Sequence, residues 1–243
     1  MTAPLEAGTG LPLGPSVDAG PAGRPSTTSL QGRFGRLEKL EPRRHGHRLW
    51  EAVKGHDEIW TYLPSYGPFP GGAQFFEFLE WLTGRTRTEH DPFPYAIVGL
   101  SGRALGIVTL KEIRPAMRVI EIGHLVYSPA LQRTPLATEA QYLLARYVFE
   151  TLGYRRYEWN CDALNAASRR AASRLGFTFE GIFRQHRIAK GRNRDTAWYS
   201  MLDSEWPARK AAFERWLAPD NFDADGRQWT RLNELDESDG GRA

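Results

Sequence analysis

With 243 residues, 41% of them hydrophobic, and a mean hydropathy of -0.51, the chain reads as one soluble domain with extensions and room for a sizeable core. The formal charge is only +3, and acidic residues are spread among the arginines, which disfavours the clustered basic stripe of a nucleic-acid interface. No apolar run approaches the ~20 residues that span a bilayer, and the single Cys161 excludes an intrachain disulfide and fits a reducing cytoplasm.

Residues 1–32 are rich in Pro, Gly, Ala, Ser and Thr without an apolar h-region, and are expected to form a disordered or extended arm rather than a signal peptide. Residues 34–40 read as a first strand. Pro42 then opens a helix through Val53, a first-turn position where proline is tolerated. The segment from Trp60 to Phe69, with Tyr62 and Tyr66 inside it, is too rich in Pro and Gly for either regular structure. Phe75, Phe76, Phe78, Leu79 and Leu82 recur at helical spacing. Residues 95–100 and 105–113 read as a hairpin turned at Ser101 and Gly102.

A strand follows at residues 118–127, and Leu136, Ala140, Leu143, Leu144, Tyr147 and Val148 mark a helix that Gly153 stops. In the next strand Tyr157, Trp159 and Cys161 share one face while Arg156, Glu158 and Asn160 share the other. Asn165 is a plausible N-cap for a helix whose buried face is mostly alanine. Residues 177–188 and 196–202 form a last hairpin around the turn 191–195, and residues 204–217 a further helix. The segment 221–226 resembles a calcium loop, but it begins with Asn, and Leu232 stands where the bidentate glutamate belongs; no metal site is expected. The resulting division is an arm at 1–32, a domain at 33–206, and a C-terminal helix and polar tail at 207–243.

The order from Glu121-Ile-Gly-His-Leu-Val-Tyr127, through a polar loop into a helix, then a strand and a second helix closed by Gly176 and Phe177, resembles the core of the GNAT superfamily of acyl-CoA-dependent N-acyltransferases. Within it, the branch containing the acetyltransferases of ribosomal-protein N-termini is the most similar. The resemblance implies a mixed α/β (α+β) fold: a central, mostly antiparallel sheet with helices on both faces.

In that superfamily the loop reads Gln/Arg-x-x-Gly-x-Gly/Ala, and its amides with the following helix N-terminus hold the CoA pyrophosphate. Gln132 and Ala137 match. Pro135 stands at the central glycine and removes one donor, at a position where that donor has no helical partner anyway. Leu136, Ala137 and Thr138 keep their amides, and the Arg133 guanidinium could replace lost attraction. Thr134, as N-cap, would occupy one of those amides itself. An ordinary capped helix is the alternative reading.

By the same resemblance the strand at 118–127 splays from its neighbour, and the backbone of Leu125 and Val126 would hold pantetheine and the developing oxyanion. Glu121, a carboxylate among apolar residues, is either a general base or the buried partner of an arginine. His124 is a weaker acceptor-side candidate, with a structural histidine as the alternative. Asn165 would contact pantetheine. Ser168 would lie near the cofactor sulfur and supply the leaving group with a proton, since Ala172 occupies the place of the superfamily's usual tyrosine acid. Cap and surface residue are the plain alternatives for these two. Trp60, Tyr62 and Tyr66 would line the acceptor mouth or pack on the sheet.

The reaction implied is acyl transfer, acetyl first, from acetyl-CoA to a primary amine of a small molecule or a protein N-terminus, without a metal or a membrane. A homodimer is left open. Two rivals stay open: a catalytically weak CoA-binding sensor, suggested by Pro135 and Ala172, and a basic nucleic-acid-binding module, suggested only by the arginines.

Overall fold

Runs of β-branched and aromatic residues alternate with turn signals along the chain. In the computed structural model, which describes residues 4–6, 8–17, 20–89 and 91–237, they pair into an eight-stranded sheet. The strands are β1 (Ser29–Gln31), β2 (Gly35–Lys39), β3 (Phe93–Gly99), β4 (Ala104–Arg114), β5 (Val119–Tyr127), β6 (Arg156–Asp162), β7 (Thr178–Ala189) and β8 (Arg192–Leu202). Their spatial order is β1-β2-β3-β4-β5-β6-β8-β7. Every neighbouring pair is antiparallel except β5 and β6, which run parallel. A parallel pair needs a crossover, and α3 (Pro135–Arg146) supplies it.

Helices cover both faces, as a mixed sheet with two apolar sides requires. On one face α1 (Pro42–Val53) and α2 (Gly72–Glu89) bury Leu49, Phe75, Phe78 and Leu79 against Ala96, Val98, Ile107 and Val126. On the other, α3, α4 (Ala166–Arg174) and α5 (Trp206–Leu217) pack over Tyr95, Ile97, Ile120, Tyr157 and Trp159. Pro42 opens α1 as the sequence predicted.

Three boundaries differ from the sequence expectation. The sheet begins inside the segment read as an arm: Ser29–Gln31 pairs with β2, and the Ser26 and Thr27 amides donate to the Tyr147 hydroxyl at 3.0 and 3.1 Å. The last hairpin turns at Lys190 and Gly191, both with positive φ, so residues 192–195 belong to β8 instead of a loop. A two-residue turn with left-handed centres matches the strand twist better than the wider loop expected. Finally, the polar tail is partly structured: α6 (Leu232–Glu237) returns to α5 and buries Leu232 at 3% exposure. The segment 221–226 is a turn in which the Asp223 carboxylate accepts from the Asp225 and Arg227 amides.

Candidate functional site

β5 and β6 stay in register only from Val119 opposite Arg156 to Ile122 opposite Trp159. Beyond that rung β6 continues to Asp162 against β8, while β5 continues to Tyr127 against β4, so the two diverge and open a cleft in mid-sheet. The local cause lies in β5. Ile107 of β4 faces Val126 and Thr109 faces Gly123, so His124 and Leu125 together oppose Val108 alone. This is a β-bulge, which bends its strand and breaks the ladder. His124, in the bulge, takes the left-handed conformation, φ +46°.

The N-terminus of α3 lies on one side of this region. Thr134 is its N-cap, and the Ala137 amide donates to the Thr134 hydroxyl at 3.2 Å. That amide is therefore taken by the cap. Pro135 occupies the first turn. The amides of Arg133 and Leu136 have no partner among the described residues. Arg133 adopts φ +62°, and its side chain is exposed, whereas the Leu136 side chain is buried. Thr138 is buried too and its hydroxyl accepts from Arg174 at 3.1 Å, so only its backbone is left to meet a ligand. Gln132 turns back to donate to the Tyr127 carbonyl at 3.0 Å, bracing the loop.

On the same face Asn165 caps α4: its Oδ1 accepts from the Ser168 amide at 3.0 Å. The Ser168 hydroxyl accepts the Trp159 indole N–H at 3.1 Å, and its own proton has the Cys161 sulfur as an acceptor within reach. Trp159 sits on the last paired rung of β6, so this contact places Ser168 where the strands part. Ala172, fully buried, lies one turn further on.

The face beneath α1 and α2 carries the other candidates. Glu121 is 1% exposed and forms an ion pair with Lys111 at 2.8 Å, directly across the β4–β5 ladder. Its partner is thus a lysine, not the arginine the sequence suggested. Burial raises the Glu121 carboxyl above its usual range, and Lys111 only partly offsets this. Gly123 makes the pairing sterically feasible: a Cβ there would meet Lys111 Cε at 2.5 Å.

Tyr66 and His124 meet hydroxyl to Nδ1. Desolvation, with Lys111 and Arg85 nearby, holds the His124 imidazole neutral, its pKa pushed down to about 3. Tyr66 also stacks on Phe78 with ring centroids 4.5 Å apart. Trp60, expected at the mouth, is instead 2% exposed beneath it, edge-on to Phe69 at 5.0 Å. Its large apolar ring gains more from the Phe69, Phe75 and Phe78 cluster than from a wet rim. Tyr62 is 38% exposed and joins none of these contacts.

Sequence reasoning missed a third group on this face. Arg194 of β8 is 5% exposed and donates through Nη2 to the Asn160 Oδ1 at 3.3 Å. Three buried donors here lack an acceptor: Arg194 Nε, Asn160 Nδ2 and Trp198 Nε1. Asn160 and Trp198 are cross-strand partners. The alternation of β6 was legible, but the register that brings β8 beside it was not. Further along the same face Glu158 pairs with Arg114 and Arg156, and Arg156 pairs with Glu180, so Arg156 is held by internal ion pairs.

Among the described residues no cluster of His, Cys, Asp or Glu could hold a metal, and no helix is long and apolar enough to cross a membrane.

The arrangement has known counterparts. The family described as acetyltransferase (GNAT) domain matches residues 37–178. The crystal structure of a GCN5-related N-acetyltransferase from Brucella melitensis is 46% identical, with a TM-score of 0.84, covering 90% of this chain and 98% of that one. A GNAT-family acetyltransferase structure from Chromobacterium violaceum ATCC 12472 is 43% identical, with a TM-score of 0.73, covering 81% and 99%. A Bacillus subtilis (strain 168) protein, provisionally named ribosomal N-acetyltransferase YdaF, is 29% identical over 109 residues, 45% of this chain. The chain spans only 59% of the length of that curated relative. The family match extends over more than half of the sequence, from β2 into the first residue of β7. The chain belongs to the GNAT acetyltransferase family.

Proposed function

We propose that the protein transfers an acetyl group from acetyl-CoA to a primary amine, of a small molecule or a protein N-terminus, by direct attack of the amine on the thioester. The observation that carries this reading is the parting of β5 and β6 after Ile122 and Trp159. It leaves the edge of β5 that faces β6 without a ladder partner beyond Ile122, where Leu125 and Val126 would offer backbone groups, beside a helix start whose Arg133 and Leu136 amides are unused. An anionic pyrophosphate suits those amides and the helix dipole, with Gln132, Thr134, Ala137 and Thr138 shaping the loop. A thioester laid in the cleft would find N–H donors for its oxyanion, the largest single catalytic term in acyl transfer.

Each side of the sheet then takes one partner. Asn165 and Ser168 lie on the α3–α4 side, where pantetheine would run, and Ser168 has a proton to offer the leaving thiolate directly or through water. Glu121, Tyr66 and His124 lie on the α1–α2 side, where the amine would enter. A carboxyl with a raised pKa is a better base near neutrality than an ordinary one. Deprotonating an α-amine of pKa about 8 at pH 7 costs roughly 1.4 kcal/mol, against about 4.6 for a lysine. One buried carboxylate suits the α-amine better. The name carried by the Bacillus subtilis relative supports a protein N-terminus among the acceptors.

The sensor reading draws on the amide that Thr134 occupies and on Ala172. Thiol release from acetyl-CoA, measured across a panel of primary amines alongside thermal shift, separates the two. Amine-dependent thiol release is expected. A thermal shift without turnover selects the sensor, and no shift at millimolar CoA removes both.

A further inference from the structure

Arg194 lies on the acceptor face and has no part in acyl transfer as described. A guanidinium at 5% exposure carries a full charge, because it does not deprotonate in proteins. Buried charges are otherwise paired, since an uncompensated one is costly. Among the described residues no carboxylate lies within ion-pair distance of it; its named bond is to the neutral Asn160 amide oxygen. Around it the unmatched polar atoms have one sign: Arg194 Nε, Asn160 Nδ2 and Trp198 Nε1 are all donors. Asn160 stands two residues beyond Glu158, the β6 partner of Glu121, and so on the same face of the sheet. The cluster therefore shares the face of the groups assigned above to the incoming amine. Lys111, the cation on the β5 side of this face, is committed to Glu121. One free buried positive charge with planar donors matches one planar monoanion better than a phosphate dianion.

Resting on the acyl-transfer reading, we propose that Arg194, with the Asn160 amide and the Trp198 indole, binds a carboxylate of the acceptor, so that the preferred acceptors are amines that also carry a carboxylate. That carboxylate belongs either to a free amino acid or to an acidic side chain next to a peptide N-terminus.

The test measures kcat/KM on matched acceptors: amino acids against their C-terminal amides, and amidated peptides with Asp or Glu at the second position against Asn or Gln. The wild type should favour the carboxylate member by about 100-fold or more, as a site built for a polar group rejects analogues lacking it. The pair showing the preference identifies the source. Arg194→Met should bring the ratio near one while the KM for acetyl-CoA holds. Equal rates within each pair in the wild type, or an undiminished preference in Arg194→Met, overturn the proposal. If no acceptor is turned over, acetate and propionate replace them. At matched ionic strength they should raise the melting temperature of the wild type and not of Arg194→Met, and equal shifts overturn the proposal. The separate shift with acetyl-CoA reports on the parent reading alone. Should Arg194→Met not fold, Trp198→Phe removes the indole N–H together with part of the ring and should reduce the preference several-fold while the KM for acetyl-CoA holds; an unchanged preference overturns the proposal.

Discussion

Glu121 shows how one residue can satisfy a structural and a chemical demand at once. Its ion pair with Lys111 is buried, and removing one member of such a pair typically costs about 3–5 kcal/mol. If the carboxylate also accepts the amine proton, Glu121→Gln should lower kcat/KM most near pH 7 and least near pH 9, where free amine is abundant. A uniform loss at every pH would leave it only the structural role. His124 makes a different prediction. Its ordinary pKa of 6.5 falls to about 3 on folding. Between those values the unfolded chain binds a proton that the folded imidazole refuses, so stability drops as pH falls through that window. The slope for this group is at most about 1.4 kcal/mol per pH unit. Urea unfolding across pH 6.5 to 4 should show it, and His124→Gln should flatten it. Glu121 acts in the opposite sense, because its folded pKa is raised: its contribution is complete below 4.5 and declines as pH rises.

At the scale of elements, Glu139 of α3 ties the first hairpin to the helix. Its buried carboxylate accepts from the Arg33 amide at 2.6 Å and the Phe34 amide at 2.8 Å. Glu139→Ala should orphan both donors and lower the unfolding free energy by about 1–3 kcal/mol, measured by denaturant titration. That link joins residues 105 and more positions apart, and nothing local in the sequence announces it. The same limit explains what was legible beforehand. Strand alternation, the Pro42 helix start and the Thr134 and Asn165 caps are local patterns and could be read in order, whereas the parting of the strand at 118–127 came only from the family resemblance. The Lys111 partner of Glu121, the Tyr66–His124 contact and the Arg194 cluster depend on register, bulge position and strand order. Those are set by side-chain packing between segments far apart in the chain. Trp60 was misplaced for the same reason: an aromatic in an irregular loop carries no sign of which side it buries.

For the molecule as a whole, the divergence of β5 from β6 divides the sheet into two leaves, β1–β5 and β6–β8, joined by four paired positions. Mechanically this is a short seam in the middle of the barrier between the two helical layers, although α3 and α5 still clasp one another over it. A seam with few rungs opens at lower free energy than a continuous ladder. Amide hydrogen exchange should therefore be faster at residues 123–127 than in β3 and β4, whose neighbours are complete. A ligand with an extended polar chain wedged in the seam would act as a splint, slowing exchange on both lips together. The same gap that admits the chemistry would then close into a load-sharing joint whenever it is filled, and stiffness would rise and fall with each turnover.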